Sequence, residues 1–285
     1  MSMELMIRLG AFAAVFAAVA LWEVLAARRT RAYPRRQRWS HNLSLLLVDV
    51  IVLRLTLPGA AIAVALAGES NGWGLMRYLD LPVWLAFVLT ILLLDVAIYF
   101  QHVMFHAVPT LWRLHRVHHS DLDFDVTTGT RFHPVEILIS MVFKAAAVAA
   151  IGASPEAVLA FEVLLNATAM FNHANASLPS RIEGLVRSVL VTPDMHRIHH
   201  SIDYNESSSN FGFNISWWDR LFGTYRRTSK LSQETMTLGV DAFRDPKDLR
   251  LGRLLIQPVL ETPGGYAINR RPESTTHPAP HHLLP

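Results

Sequence analysis

The chain has 285 residues, of which 51% are hydrophobic and only 17% charged, with a mean hydropathy of +0.26. Soluble domains carry about 25% charged residues, so this balance belongs to a membrane protein. There is no cysteine, which excludes disulfides, thiolate zinc sites and protein-held iron–sulfur clusters, and the net charge of +3 rests on arginines near the ends of apolar runs, a pattern that sets membrane orientation rather than nucleic-acid binding.

The first apolar run, AFAAVFAAVALWEVLAA, lacks a clear cleavage site and is followed by arginines, so a first transmembrane helix over about residues 5–27 is expected. Arg28, Arg29, Arg31, Arg35, Arg36 and Arg38 then make the following loop cytoplasmic by the positive-inside rule, with the N-terminus outside. A second span is expected over about 43–67 and a third over about 82–104, which returns the chain to the cytoplasm. Two further apolar stretches, about 136–152 and 155–172, are joined only through Ala153, Ser154 and Pro155, as in a helical hairpin that enters and leaves on one side. Residues 180–260 read as a soluble cap of helices and turns, with an amphipathic surface helix in DPKDLRLGRLLIQPV. Residues 262–285, rich in Pro, Gly, Ser, Thr and His, read as a disordered tail. The expected fold is therefore an all-α membrane protein with four to five transmembrane or re-entrant helices under a cytosolic helical cap, residues 1–261 forming one domain.

Ten of the fourteen histidines lie between residues 102 and 200. Eight stand in three boxes: His102 and His106; His115, His118 and His119; His196, His199 and His200. Residues three and four apart share a helix face, so each box presents its imidazoles together. The topology, drawn without reference to these residues, delivers every box to one side of the membrane. So many imidazoles suit two ions in one pocket better than one. No box has the glutamate of HExxH, and the Glu-x-x-His pairs of carboxylate-bridged di-iron bundles are missing, which leaves an all-nitrogen pair of redox metals. Single histidines at helix ends are usually hydrogen-bonding residues, and His41, His277, His281 and His282 read that way. His173 and His133 stand alone, and each is open to either role. Asp95 shares a helical stripe with His102, so it is expected either to hold that ring in one tautomer or to make a polar contact between helices. Asp121, Asp123 and Asp125 read as similar supporting groups or a solvated loop. Asp49, Arg54, Lys144 and Glu162 are costly inside spans and should face other helices or reach outward, with Glu162 a candidate for function.

These boxes, with TPDMHRIHH and the downstream NFGFNISWWDRLFGTY, resemble the integral-membrane fatty acid hydroxylase / sterol desaturase superfamily over roughly residues 85–226. The resemblance implies a non-haem centre of two iron ions on the cytosolic side. It implies O2 and two external electrons used to hydroxylate or desaturate a membrane lipid, a sterol, fatty acyl or related alkyl chain. It puts ligand roles on the eight box histidines and on His173. Some members carry a second histidine four residues on, where this chain has Ser177, and His133 is the candidate for the nitrogen that position lacks. No HPGG haem motif is present, so electrons are expected from a separate ferredoxin, cytochrome b5 or reductase-type donor. The competing readings are an ether-lipid, alkylglycerol-type monooxygenase and a non-catalytic membrane metal-binding or transport protein. Transport would spread polar residues along a path through several spans, whereas these histidines gather on one face. Only Lys144, Lys230 and Lys247 are lysines among 26 basic residues, a bias that suits a GC-rich bacterium and its inner membrane.

Overall fold

The computed structural model describes residues 3–261; the expected tail and its three histidines lie outside the described residues. The described chain is all-α, its β pairing confined to three isolated bridges. Four segments are long and apolar enough to cross a membrane: Met3–Leu25, Arg35–Tyr78, Val83–Ala107 and Pro134–Ile151. The protein is an integral membrane protein.

Helix α1 (Met3–Leu25) runs toward the arginine loop. The second segment is not the single span expected over 43–67. It consists of α2 (Arg35–Thr56), α3 (Ala60–Asn71) and the short α4 (Leu75–Tyr78). The break falls at Pro58, whose ring disfavours helix at Leu57, and at Gly59 with φ 64°. Helices α5 (Val83–Ala107) and α6 (Pro109–His119) are separated by Val108 alone. Pro109 forces Val108 into extended backbone (φ −95°, ψ 117°), so α6 leaves at a new angle while its own first turn tolerates the proline. Helices α7 (Pro134–Ile151) and α8 (Pro155–Asn172) are joined through the short link expected and meet through Lys144 and Glu162, but only α7 is among the four candidate spans of the described residues. Gly152 closes α7, and its backbone lies so near Gly74 that a Cβ on Gly74 would stand 2.2 Å from the Gly152 nitrogen.

Beyond α8 the cap is mostly loop, held by α9 (Ser180–Arg187), α10 (Pro193–His199), α11 (Tyr204–Ser207), α12 (Trp217–Leu221) and α13 (Leu251–Ile256). The stretch expected as an amphipathic helix at the membrane surface holds the short α13, whose Leu254 is buried against Leu45 of α2 and Val117 of α6 while Gly252 and Ile256 stay exposed.

The membrane helices pack around an apolar core of Leu94, Ile98, Val148, Val158 and Phe161. Of the charges expected to face other helices or reach outward, Asp49 is buried, Arg54 is exposed, and Lys144 and Glu162 pair with each other. Glu162 ties two basic side chains together, its Oε1 2.6 Å from Lys144 Nζ and its Oε2 2.6 Å from Arg8 Nη2, which makes it a structural tie rather than a reactive group. At the box end, fully buried Arg38 of α2 forks onto both oxygens of Asp121 (2.8 and 2.6 Å) and donates to Asp125 at 2.5 Å. Asp123 accepts from the backbone N–H groups of Ala32 and Tyr33, and Glu23 from those of Val126 and Asn175. The three aspartates are thus anchors of a buried loop, and the arginine loop is bolted to the segment that follows α6.

Truncating one partner of a buried ion pair leaves an uncompensated charge and costs about 3–5 kcal/mol. Arg38→Met should therefore lower the thermal midpoint of detergent-solubilised protein sharply. A midpoint equal to that of the parent chain would show that this fork does not hold the box end together.

Candidate metal centre

A helix cap, a helix end and a proline turn bring the boxes together. His102 and His106 stand one turn apart at the end of α5, and α6 folds back so that His115 Nε2 lies 3.1 Å from His102 Nε2 and His119 Nε2 3.1 Å from His106 Nε2. Thr192 caps α10 through the Met195 N–H, with Pro193 in the first turn, and sets His196, His199 and His200 toward the same interior. Helix α8 ends on His173, whose Nε2 lies 3.1 Å from His118 Nε2, 3.2 Å from His200 Nε2 and 3.2 Å from His196 Nε2. His199 Nε2 reaches His102 Nε2 at 3.1 Å.

The result is two buried groups, His102, His106, His115, His119 and His199 in one, His118, His173, His196 and His200 in the other. Within each, one ligand atom per residue lies within 4.8 Å of all the others.

The donor arithmetic shows what such groups can hold. A carbonyl only accepts, so His102 Nδ1 donates to the Phe211 carbonyl, His199 Nδ1 to Ser209 and His173 Nδ1 to Ala169, each at 2.7 Å. A neutral imidazole with its proton on Nδ1 offers a lone pair at Nε2. His102 and His199 therefore aim two lone pairs at each other, and no hydrogen bond relieves them. Extra protons are not the remedy. Burial pushes His115 and His173 down to about 3 and holds His118, His119, His196, His199 and His200 well below the ordinary histidine value. Convergent, unprotonated nitrogen donors in a dry interior fit transition-metal cations, for which imidazole is a standard ligand.

Of the other candidate residues, two lie elsewhere. His133 caps α7, its Nδ1 accepting from the Val135 N–H and its Nε2 donating to the Leu255 carbonyl at 3.1 Å. Both nitrogens are spent, and His133 belongs to neither group. Asp95 does not touch His102. Its Oδ2 accepts from Trp218 Nε1 at 2.7 Å and from the Ile215 N–H at 3.2 Å, so it anchors the 211–219 segment on α5. The place expected for Asp95 beside His102 belongs to the Phe211 carbonyl, which Asp219 in turn fixes by accepting the N–H groups of Phe211 and Gly212.

One supporting residue escaped the sequence reading. Glu136, buried in the first turn of α7, receives His115 Nδ1 on its Oε1 at 2.6 Å. The signal was a carboxylate three residues after His133 at the head of an apolar run. Searching for carboxylates within the boxes could not find it, since it acts from another helix. Gly129 is required for space, because a Cβ there would lie 2.7 Å from the Ala169 carbonyl and 3.2 Å from His173 Nδ1.

A family model described as fatty acid hydroxylase matches residues 87–224, which hold all nine histidines of the two groups. An ornithine lipid hydroxylase from Rhizobium tropici is 27% identical over 151 residues, covering 53% of this chain and 45% of that protein. An alkylglycerol monooxygenase from Xenopus tropicalis is 31% identical over 173 residues, covering 59% and 37% respectively. A cholesterol 25-hydroxylase from Homo sapiens is 27% identical over 141 residues, covering 49% and 50%. The chain thus spans half or less of the length of these curated relatives. No solved structure matches it significantly.

Two outcomes follow from neutral, convergent imidazoles. His199→Ala should cost the five-histidine group its metal and His196→Ala the four-histidine group, each variant retaining about half the metal of the parent chain on elemental analysis. In metal-depleted protein the folded-state values lie below the unfolded value of about 6.5, so the unfolded chain binds more protons in between and stability falls as pH drops. The expected slope below pH 6.5 approaches about 1.4 kcal/mol per pH unit for each such histidine. Thermal unfolding from pH 7.5 to 5 checks this, and a flat profile would contradict it.

Proposed function

We propose that this chain, which a fatty acid hydroxylase family model matches over residues 87–224, is a membrane-bound di-iron oxygenase that hydroxylates or desaturates a lipid with O2 and electrons from a separate donor. The observation that carries this reading is the pair of buried all-imidazole groups, five and four residues strong, at one end of an apolar helical bundle. We assign metal-ligand roles to His102, His106, His115, His119 and His199 in one group and to His118, His173, His196 and His200 in the other, with residues 1–261 acting as one unit.

When bound, two irons would supply the electron-transfer chemistry that activates dioxygen toward an unreactive C–H bond. The chain's own contribution is placement. Carbonyls of Phe211, Ser209 and Ala169 hold His102, His199 and His173 in the tautomer that frees Nε2 for metal, and the Glu136 carboxylate orients His115. Phe211, Phe213 and Phe132 wall the imidazoles, with ring centroids 5.6 Å from His102, 4.9 Å from His102 and 4.5 Å from His118 respectively. These rings exclude water, which protects a reactive centre from side reactions. Phe213 packs on both the apolar core and His102, which supports an approach of the alkyl chain from the bilayer side.

The relatives are named for ornithine lipid, alkylglycerol and cholesterol, all membrane amphiphiles, and a substrate of that kind suits a centre reached from the bilayer. An ether lipid is therefore retained as one substrate class. The arginine loop supports a cytoplasmic position for the histidine end, and the lysine-poor composition supports a bacterial inner membrane.

Membranes containing the chain, supplied with a reducing system and 18O2, should yield lipids enriched by one 18O atom, or by loss of two hydrogens, on mass spectrometry. His199→Ala membranes should yield neither. A lipid profile identical in the two would overturn the proposal.

A further inference from the structure

We infer that the outer face formed by α9, residues 188–190 and α12 is seated in the head-group region of the same bilayer and binds anionic phospholipid. This goes beyond the oxygenase reading and does not depend on it.

The face is apolar where a solvated cap should be polar. Ile182, Leu185 and Val189 fall at helical spacing on one side, with Leu185 73% exposed. Leu221 is 68% exposed, and Trp217 and Phe222 lie open beside it. The two parts form one surface. Leu190 bridges to Ile215, Trp217 Nε1 donates to the Ser188 carbonyl at 2.8 Å, and Arg220 donates to the Arg187 carbonyl at 3.1 Å.

Its depth is set by α5. Trp218 hydrogen-bonds Asp95, which lies midway along α5, so α12 packs beside the half of the span that leads to the histidines. The Phe222 ring lies 4.8 Å from that of Phe100, an exposed residue on the same spanning helix. The apolar face is therefore continuous with the exposed surface of a helix long and apolar enough to span the membrane. A segment held at that level beside a span meets acyl chains and head groups, not bulk water.

Charge selects the lipid. Exposed Arg181, Arg220 and Arg227 rim the face. Its acidic side chains are engaged elsewhere, Glu183 with Arg187 and Thr192, Asp219 with the backbone at Phe211 and Gly212. An exposed indole and a basic rim around aliphatic side chains are the pattern of an interfacial anchor, and basic residues at a leaflet surface attract anionic lipid.

The chain has no cysteine, so single-cysteine labels need no background changes. Spin labels at Leu185→Cys and Leu221→Cys would be compared in the full-length, metal-loaded protein with Val88→Cys on the exposed side of α5 and Lys247→Cys on the cap. The vesicles would be phosphatidylcholine with or without phosphatidylglycerol. In the mixed vesicles, Leu185 and Leu221 labels should resemble Val88 in collision with dissolved O2 and should meet a water-soluble nickel chelate several-fold less than Lys247. Omitting phosphatidylglycerol, or combining Arg181→Gln with Arg227→Gln, should raise nickel access at Leu221. Nickel access equal to that at Lys247 in the mixed vesicles would overturn the inference. So would a label shielded from both O2 and nickel, which would mean a protein surface covers this face. Nickel access that ignores phosphatidylglycerol and the arginines would overturn the choice of anionic lipid.

Discussion

The structure depends on a mutual repulsion that something must neutralise. Nine imidazoles converge in two buried groups, and in three of them a backbone carbonyl has already consumed the Nδ1 proton, leaving Nε2 bare. Burial makes the charged form expensive, so the chain cannot relieve these lone pairs by taking up protons. Cations held among the nitrogens would turn the same geometry from a cost into a binding site. The surrounding architecture reads as the means of enforcing it.

That enforcement comes from rigid ties outside the groups. The Pro109 turn re-aims α6 back along α5, the Thr192 cap sets the start of α10, and the Arg38 fork holds the segment after α6 against α2. Asp95 and Asp219 pin the 211–219 segment, so the Phe211 carbonyl meets His102 at a fixed place. Buried charges in this protein therefore serve position. Arg38, Glu23, Glu162 and the loop aspartates pair with neighbouring helices or backbone amides, which lets them sit beside an apolar bundle.

Much of this was legible in the sequence because histidine boxes carry their own period. Spacings of three and four put His102 with His106 and His115 with His119 in one group, although the structure turns His118 to the other, and the apolar runs located the helices that deliver them. What stayed hidden was contact across the chain. Asp95 shares a stripe with His102, but a helical stripe does not say which side chain leans toward which, and Trp218 claims Asp95 first. His133 looked like a spare ligand, yet a histidine just before Pro134 is placed to cap α7 and spends its nitrogens there. Glu136 was invisible as a partner because it lies 21 residues from His115, and backbone carbonyls leave no trace in a sequence at all. The break at Pro58 and Gly59 could have been read from local chemistry, but was outweighed by the apolar run around it.

The two groups also differ in ways that bear on their use. The five-histidine group has a carboxylate behind His115, whereas in the other group His118 Nδ1 and His196 Nδ1 are buried without a hydrogen-bond partner. Donors backed by carboxylate or carbonyl are more basic than unsupported ones, so two ions held here would not be equivalent. The central claim is that imidazole alone cages a pair of ions. X-ray absorption at the iron edge, on protein purified under mild conditions with its metal content measured, tests it most directly. The account predicts about one iron for each group, with a nitrogen shell and imidazole outer-shell scattering. Protein free of transition metal, or a first shell dominated by carboxylate oxygen, would contradict it.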